Sequence, residues 1–361
     1  MPSRQLRNDR QQVMLVLQGG GAMGAYQAGV YRAMQEAGIE PDWVVGSAFG
    51  TINAGLIVGN PPEVRRRQLD EFWDWVRDRS PFDKWSIERL KVPDYGSVVA
   101  GVSGFFRPNL HAALGLGASA GIDRLSLYRM DVLNDAFYRR IDFDRLNRGE
   151  PRLTLSAVNV RSGNYVAFDS SQSRITPEHL MASLAMPPYF PAVAIDGEHY
   201  WSGELYSSVG LELAFGRERT QSTLVVSVAS VIERQAPPQT LAAVIQRQQR
   251  LRESSGHRLA VDHRFREQQL RAACGQMAAM LTTQQMAMPA VKKALAAIGR
   301  DSGKIELLSL SPQSAETSEE IDYVAFTADA IEAMREQGWR HAQAALTGRD
   351  SRKRPPASSR A

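Results

Sequence analysis

The chain has 361 residues, 43% hydrophobic and 23% charged, an ordinary globular composition with apolar material for one large core or two modest ones. Lys and Arg number 43 against 39 Asp and Glu, and the resulting +4 charge is too small to argue for a nucleic-acid partner. A lone cysteine, Cys274, excludes an intramolecular disulfide framework, fits a reducing compartment and is expected as a small buried hydrophobe.

The polar residues 1–12 are expected to be flexible. The apolar run Val13–Leu17 is too short for a signal-peptide core, and residues 97–106 fall well short of the roughly 20 needed to span a bilayer. The expectation is a soluble, cytoplasmic protein. Val13–Leu17 reads instead as a buried strand, followed by Gly19-Gly20-Gly21-Ala22-Met23-Gly24 and a helix over Ala25–Ala37. A second strand, Asp42–Val45, enters Gly46-Ser47-Ala48-Phe49-Gly50, and residues 51–58 read as helix. Strand, turn and helix twice in succession is the grammar of a parallel α/β sheet.

Residues 64–76 form an amphipathic helical pattern with Leu69, Phe72, Trp73 and Val76 on one face. The glycine-rich stretch 93–121 is a candidate lid, with a plain surface loop as the alternative. A hairpin is expected over Leu153–Phe168 around Arg161-Ser162-Gly163-Asn164, then a helix from Pro177 that ends before Pro187-Pro188, and a strand over Thr223–Val228. From Thr240 to Ile298 the pattern is helical and basic. A last strand at Ile305–Leu310 and a last helix at Asp322–Leu346 precede a charged tail, 348–361, expected to be disordered. The division is thus an α/β domain over 13–230 and a mainly helical extension over 231–347.

A strand feeding Gly19-x-Gly21-x-x-Gly24 into a helix exposes backbone N–H groups where the helix dipole favours negative charge. Such a loop can cradle a pyrophosphate or stabilise an oxyanion. A dinucleotide site needs an acidic residue at the end of the second strand, but Glu40 and Asp42 lie at or before its start. A phosphate-binding loop fails too, because no Gly-Lys-Ser/Thr follows. The second turn is more informative. Gly46-Ser47-Ala48-Phe49-Gly50 has both glycines and the strand-to-helix context of a nucleophile elbow, Gly-x-Ser-x-Gly, with alanine at its centre.

These pieces, together with Met181–Ser208 and Leu224–Val228, resemble the patatin-like phospholipase family over about Val13 to Leu346. The part from Thr240 onward is similar to the helical C-terminal extension of a bacterial subfamily. The resemblance implies a three-layer α/β/α fold with a mostly parallel central sheet. It also implies a lipid acyl hydrolase (phospholipase or esterase) that works through a Ser–Asp dyad without histidine; the histidines here show no metal-ligand spacing, and no metal or cofactor is expected. The glycine loop (Gly19, Gly20, Gly21, Gly24) would supply the oxyanion hole, and Gly46 and Gly50 would frame the elbow. The nucleophile position falls on Ala48. The dyad aspartate, which opens an Asp-Gly-Gly or Asp-Gly-Ala motif in the family, falls on Ser202 in Ser202-Gly203-Glu204.

Both dyad members are therefore substituted, and the leading expectation is a catalytically impaired pseudoenzyme that retains a lipid- or acyl-binding cleft. One alternative is an active hydrolase using Ser47, although adjacent side chains in an elbow diverge and productive geometry tolerates little misplacement. Another is a regulatory or interaction subunit of an active paralogue. Contact with an anionic membrane through the basic helices, and assembly with a second copy, stay open. Asp196 in Asp196-Gly197 reads as a turn residue. Leu184 and Tyr189 stand where the family has glycine and are expected to narrow an acyl pocket, and Glu204 adds a charge beside the lost aspartate.

Overall fold

The computed structural model describes residues 11–19, 21–78, 107–109, 119–130, 137–206, 209–214, 222–229, 237–239, 241–298, 305–312 and 327–353. Gly20, most of the candidate lid at 93–121 and the tail beyond Lys353 lie outside the described residues.

Apolar runs without alternation form the centre of an eight-stranded sheet. The strands are β1 (Gln12–Leu17), β2 (Trp43–Gly46), β5 (Arg152–Asn159), β6 (Tyr165–Asp169), β7 (Val193–Ile195), β8 (Glu198–Ser202), β9 (Thr223–Val228) and β10 (Ile305–Leu310). The order is β10-β9-β1-β2-β5-β8-β7, with β6 also paired to β5. From β10 to β5 every pairing is parallel, whereas β8, β7 and β6 run antiparallel to their neighbours. Parallel strands buried on both faces read as continuous hydrophobic runs, and β1 and β9 are buried almost throughout. A separate two-residue ribbon pairs β3 (Arg107–Pro108) with β4 (Tyr128–Arg129).

The strand period of two sorts the side chains between unequal layers. Val13, Leu15 and Leu17 face the larger core, with α1 (Met23–Glu36), α2 (Gly50–Val58) and α3 (Pro62–Asp78). Met14, Val16, Val45 and Val225 face a smaller one, with Leu211 of α6 (Val209–Ala214) and Val261 of α7 (Leu241–Ala279). The remaining helices are α4 (Phe143–Leu146), α5 (Pro177–Leu184), α8 (Thr283–Ala287), α9 (Pro289–Ile298) and α10 (Ala328–Lys353). The result is a mixed α/β fold with a mostly parallel sheet between helical layers.

The chain after residue 230 joins this architecture rather than standing apart from it. β10 extends the sheet beside β9, and α10 crosses α1 at close range. A side chain at Gly29 would lie 2.0 Å from the Arg335 carbonyl oxygen, and one at Gly338 2.0 Å from that of Tyr26. The two glycines let these backbones touch. α10 runs on to Lys353, past the expected end at Leu346 and into the expected tail. Cys274 is only half-buried, not the core hydrophobe expected. α7 is long enough that much of it passes beyond the sheet, leaving Leu259, Leu270 and Met277 exposed.

Candidate functional site

β1 and β2 are neighbours, so the two glycine-containing turns emerge side by side from the same edge of the sheet. The Gly46–Gly50 bend is as tight as its sequence suggests. Ala48 has a φ of 44°, in the left-handed region that costs a non-glycine residue roughly 1–2 kcal/mol. Packing and hydrogen bonds hold it there. Ser47 N–H donates to Leu17 O (3.1 Å), Ala48 N–H to Ser183 O (2.9 Å) and Gly50 N–H to Ser47 O (2.9 Å). Gly50 lies against the backbone of β1, where an added Cβ would be 2.1 Å from Leu17 O.

A buried polar network ties the glycine loop to the elbow helix. Asn53 Nδ2 on α2 donates to Gly24 O (2.8 Å) and Gln27 Oε1 (2.9 Å), and Asn53 Oδ1 accepts from Trp73 Nε1 (2.9 Å). Gln27 Nε2 in turn donates to Gln18 O. Gly24 must lack a side chain because the Trp73 ring would lie 2.2 Å from one. Gly21, at φ 54°, makes the turn into α1. Neither α1 nor α2 carries a side-chain cap, so both positive helix ends open at this edge. On the other side, Gln18 Oε1 lies 3.1 Å from Nδ1 of His257 on α7. Burial pushes the His257 pKa below the usual histidine value and favours the neutral ring.

Of the expected site positions, Gly19 and Ala48 meet directly. Ser202, fully buried at the end of β8, is held by a hydrogen bond from its N–H to Ala185 O (2.9 Å). Its Oγ accepts the N–H of Glu204 (3.3 Å). Gly203 packs so closely on Ser156 that a Cβ would lie 2.4 Å from the serine Cβ. This contact fixes the backbone from which Glu204 projects. The Glu204 side chain then reaches the glycine loop: a Cβ placed on Gly19 would be 2.4 Å from Ala48 Cβ and 2.4 Å from Glu204 Oε2. The alanine methyl and the carboxylate oxygen therefore lie within twice that distance of one another. Sequence reading flags Glu204 as an added charge but gives no sign that it crosses to Gly19, because that contact joins β8 to β1 through tertiary structure. Ser47 is buried beside Ala48.

Asp196 (φ 49°) and Gly197 (φ 80°) form the two-residue turn between β7 and β8, at the opposite end of β8 from Ser202. Leu184 is buried in the core and Tyr189 packs against it, so neither is a freely projecting wall. A cavity of about 600 Å³ opens between Arg124, Arg129, Tyr138, Met181 and Ala192, and none of Gly19, Ala48, Ser202 or Glu204 lines it. Among the described residues, no group of three or more His, Cys, Asp or Glu is arranged to hold a metal ion, and no helix is long and apolar enough to cross a membrane.

The sequence profile described as "Patatin-like phospholipase" matches residues 15–215, more than half of the chain. The chain belongs to the patatin-like phospholipase family. A second profile, described as "Patatin phospholipase", matches residues 252–358 and carries the family relationship into α7 and α10. No curated protein sequence matches. Among solved structures the chain is similar to VipD from Legionella pneumophila, with 12% identity, a TM-score of 0.40, and coverage of 94% of this chain and 67% of that one. It is similar to the type III effector protein ExoU at 15% identity and TM-score 0.35, covering 95% of this chain and 54% of that one. A third is the complex of full-length SpcU with full-length ExoU from the type III secretion system of Pseudomonas aeruginosa, at 15% identity and TM-score 0.30, with 80% and 61% covered. The chain thus spans about half to two-thirds of the length of these structures.

Proposed function

We propose that this chain is a patatin-fold pseudoenzyme that binds a lipid acyl group without forming an acyl-enzyme. What supports the reading is the identity of the two residues, Ala48 and Ser202, at the positions where the resemblance would put the dyad. Ala48 has no nucleophilic atom, and Ser202 offers a hydroxyl where the family places a carboxylate. The glycine loop and the two uncapped helix ends favour a polar, electron-rich group at this edge. Exposed Leu205 and Tyr206, beside Glu204, give apolar surface for a chain at the same edge.

The test combines turnover, labelling and binding. The native protein is expected to show no lysophospholipase or esterase turnover above buffer and no serine adduct with a fluorophosphonate, yet to bind a medium-chain acyl ligand. An adduct on Ser47, with activity abolished by Ser47→Ala, would establish the second reading, an active hydrolase whose nucleophile has moved by one residue. Absence of both labelling and acyl binding would favour a regulatory subunit that acts through other surfaces. A soluble, cytoplasmic setting with transient contact to an anionic membrane is part of the same proposal.

A further inference from the structure

We propose that Glu204 decides which acyl ligands this cleft accepts: its carboxylate stands in the place of a ligand's acyl oxygen and turns away anionic acyl groups such as fatty carboxylates. This rests on the reading of the cleft as an acyl-binding site and adds its charge selectivity.

The argument begins with the space in front of Gly19. Gly19 can carry no side chain because Glu204 Oε2 and the Ala48 methyl already share that volume. In a serine hydrolase this volume lies between the glycine loop and the nucleophile, where the tetrahedral oxyanion collects its donors. Here a carboxylate oxygen from the protein itself occupies it. The surroundings favour that charge, since α1 and α2 both present helix N-termini without side-chain caps at this edge. The position is also imposed from behind. Gly203 is pressed against Ser156, and the Glu204 N–H is directed to Ser202 Oγ, so only the side-chain torsions of Glu204 are left to move.

Two consequences follow from the charge. An acyl ligand that presents a carboxylate to the loop meets a like charge at close range. At about 4 Å in a partly wet site that repulsion weakens binding by at least about fivefold. A neutral headgroup, such as an alcohol or ester, lacks this penalty, and an alcohol can also donate its hydroxyl proton to the glutamate. The cleft therefore prefers uncharged acyl or alkyl ligands to free fatty acids.

Titration calorimetry of the full chain with decanoate and with decanol tests this, using native protein, Glu204→Gln and Glu204→Gly, each first checked for a native-like thermal transition. Decanoate is expected to bind Glu204→Gln at least about fivefold more tightly than native protein. Decanol affinity should change by less than about twofold in the same variant, because an isosteric amide removes charge without opening space. Glu204→Gly, which removes charge and volume together, should gain affinity for both ligands. Equal decanoate affinity in native protein and both variants, with decanol bound throughout, would overturn the role of Glu204 and leave acyl binding intact. Failure of every protein to bind either ligand would overturn the acyl-binding reading and this inference with it.

Discussion

The elbow after β2 and the turn after β8 meet across Gly19, and backbone and side chain play different parts in the two. At the elbow the backbone is unusual and the side chain small: Ala48 has a left-handed φ of 44° and carries only a methyl group. At the turn Gly203 is in close contact with Ser156, and the side chains carry the polarity, with the Ser202 hydroxyl and the Glu204 carboxylate two residues later. The comparison teaches that the shape of such a site is enforced by the packing behind it, whereas its reactivity rests on individual side chains.

The largest way to break the elbow is Gly50→Ala. The new methyl would press on the Leu17 carbonyl oxygen (2.1 Å) and carbon (2.6 Å), and backbone cannot swing aside. A loss of about 3 kcal/mol is expected from overpacking, read as a lower urea midpoint.

Asp169→Asn attacks the spacer between the two regions, because β5 pairs with β2 on one side and β8 on the other. Burial alone would raise the Asp169 pKa, but hydrogen bonds from Arg152, Ser171 and Thr154 outweigh it and leave the carboxyl below its usual range. The pair with Arg152 is short, 2.6 Å, although the arginine is about one-third exposed and partly screened. A loss of about 2 kcal/mol is expected at pH 7. A lowered folded pKa means that this stability is fully present above the unfolded value of about 3.9 and is lost as pH falls through the lower folded value. Unfolding midpoints measured from pH 6 down to pH 2.5 should therefore fall less steeply in the variant than in the native protein.

Ala48→Gly sharpens the comparison from the other direction. If the fold imposes the left-handed backbone, glycine should relieve the strain and raise stability by about 1 kcal/mol after its entropic cost. An unchanged or lower melting temperature would show that no strain is stored there.

The smallest effect is expected at His257, which touches the glycine loop through Gln18. Its lowered pKa means the neutral ring is favoured in the fold. The contribution is present above the unfolded value of about 6.5 and fades as pH falls through the lower folded value. His257→Ala should cost about 0.5 kcal/mol and should speed amide exchange in α7 at pH 7.5 with little effect on β1.

The parallel strands were legible because buried strands leave uninterrupted apolar runs. Thr223–Val228 and Ile305–Leu310 follow their sequence patterns residue for residue. The bend at Gly46–Gly50 was legible because tight backbone approach demands glycine at fixed spacing. The strands β7 and β8 were not anticipated, since three to five residues around Asp196-Gly197 carry too little periodicity to separate strand from loop. Cys274 was misjudged because an alanine-rich helix reads as buried when nothing in the sequence says how far it extends beyond the sheet.

By itself the sequence determined the α/β order of the chain and the two glycine turns, because these depend on local periodicity and backbone freedom. Tertiary structure alone decided that β10 lies beside β9, that α10 crosses α1 at Gly29 and Gly338, and that Glu204 reaches Gly19. Each of these joins residues far apart in the chain through complementary shape, and shape complementarity has no signature in a linear pattern.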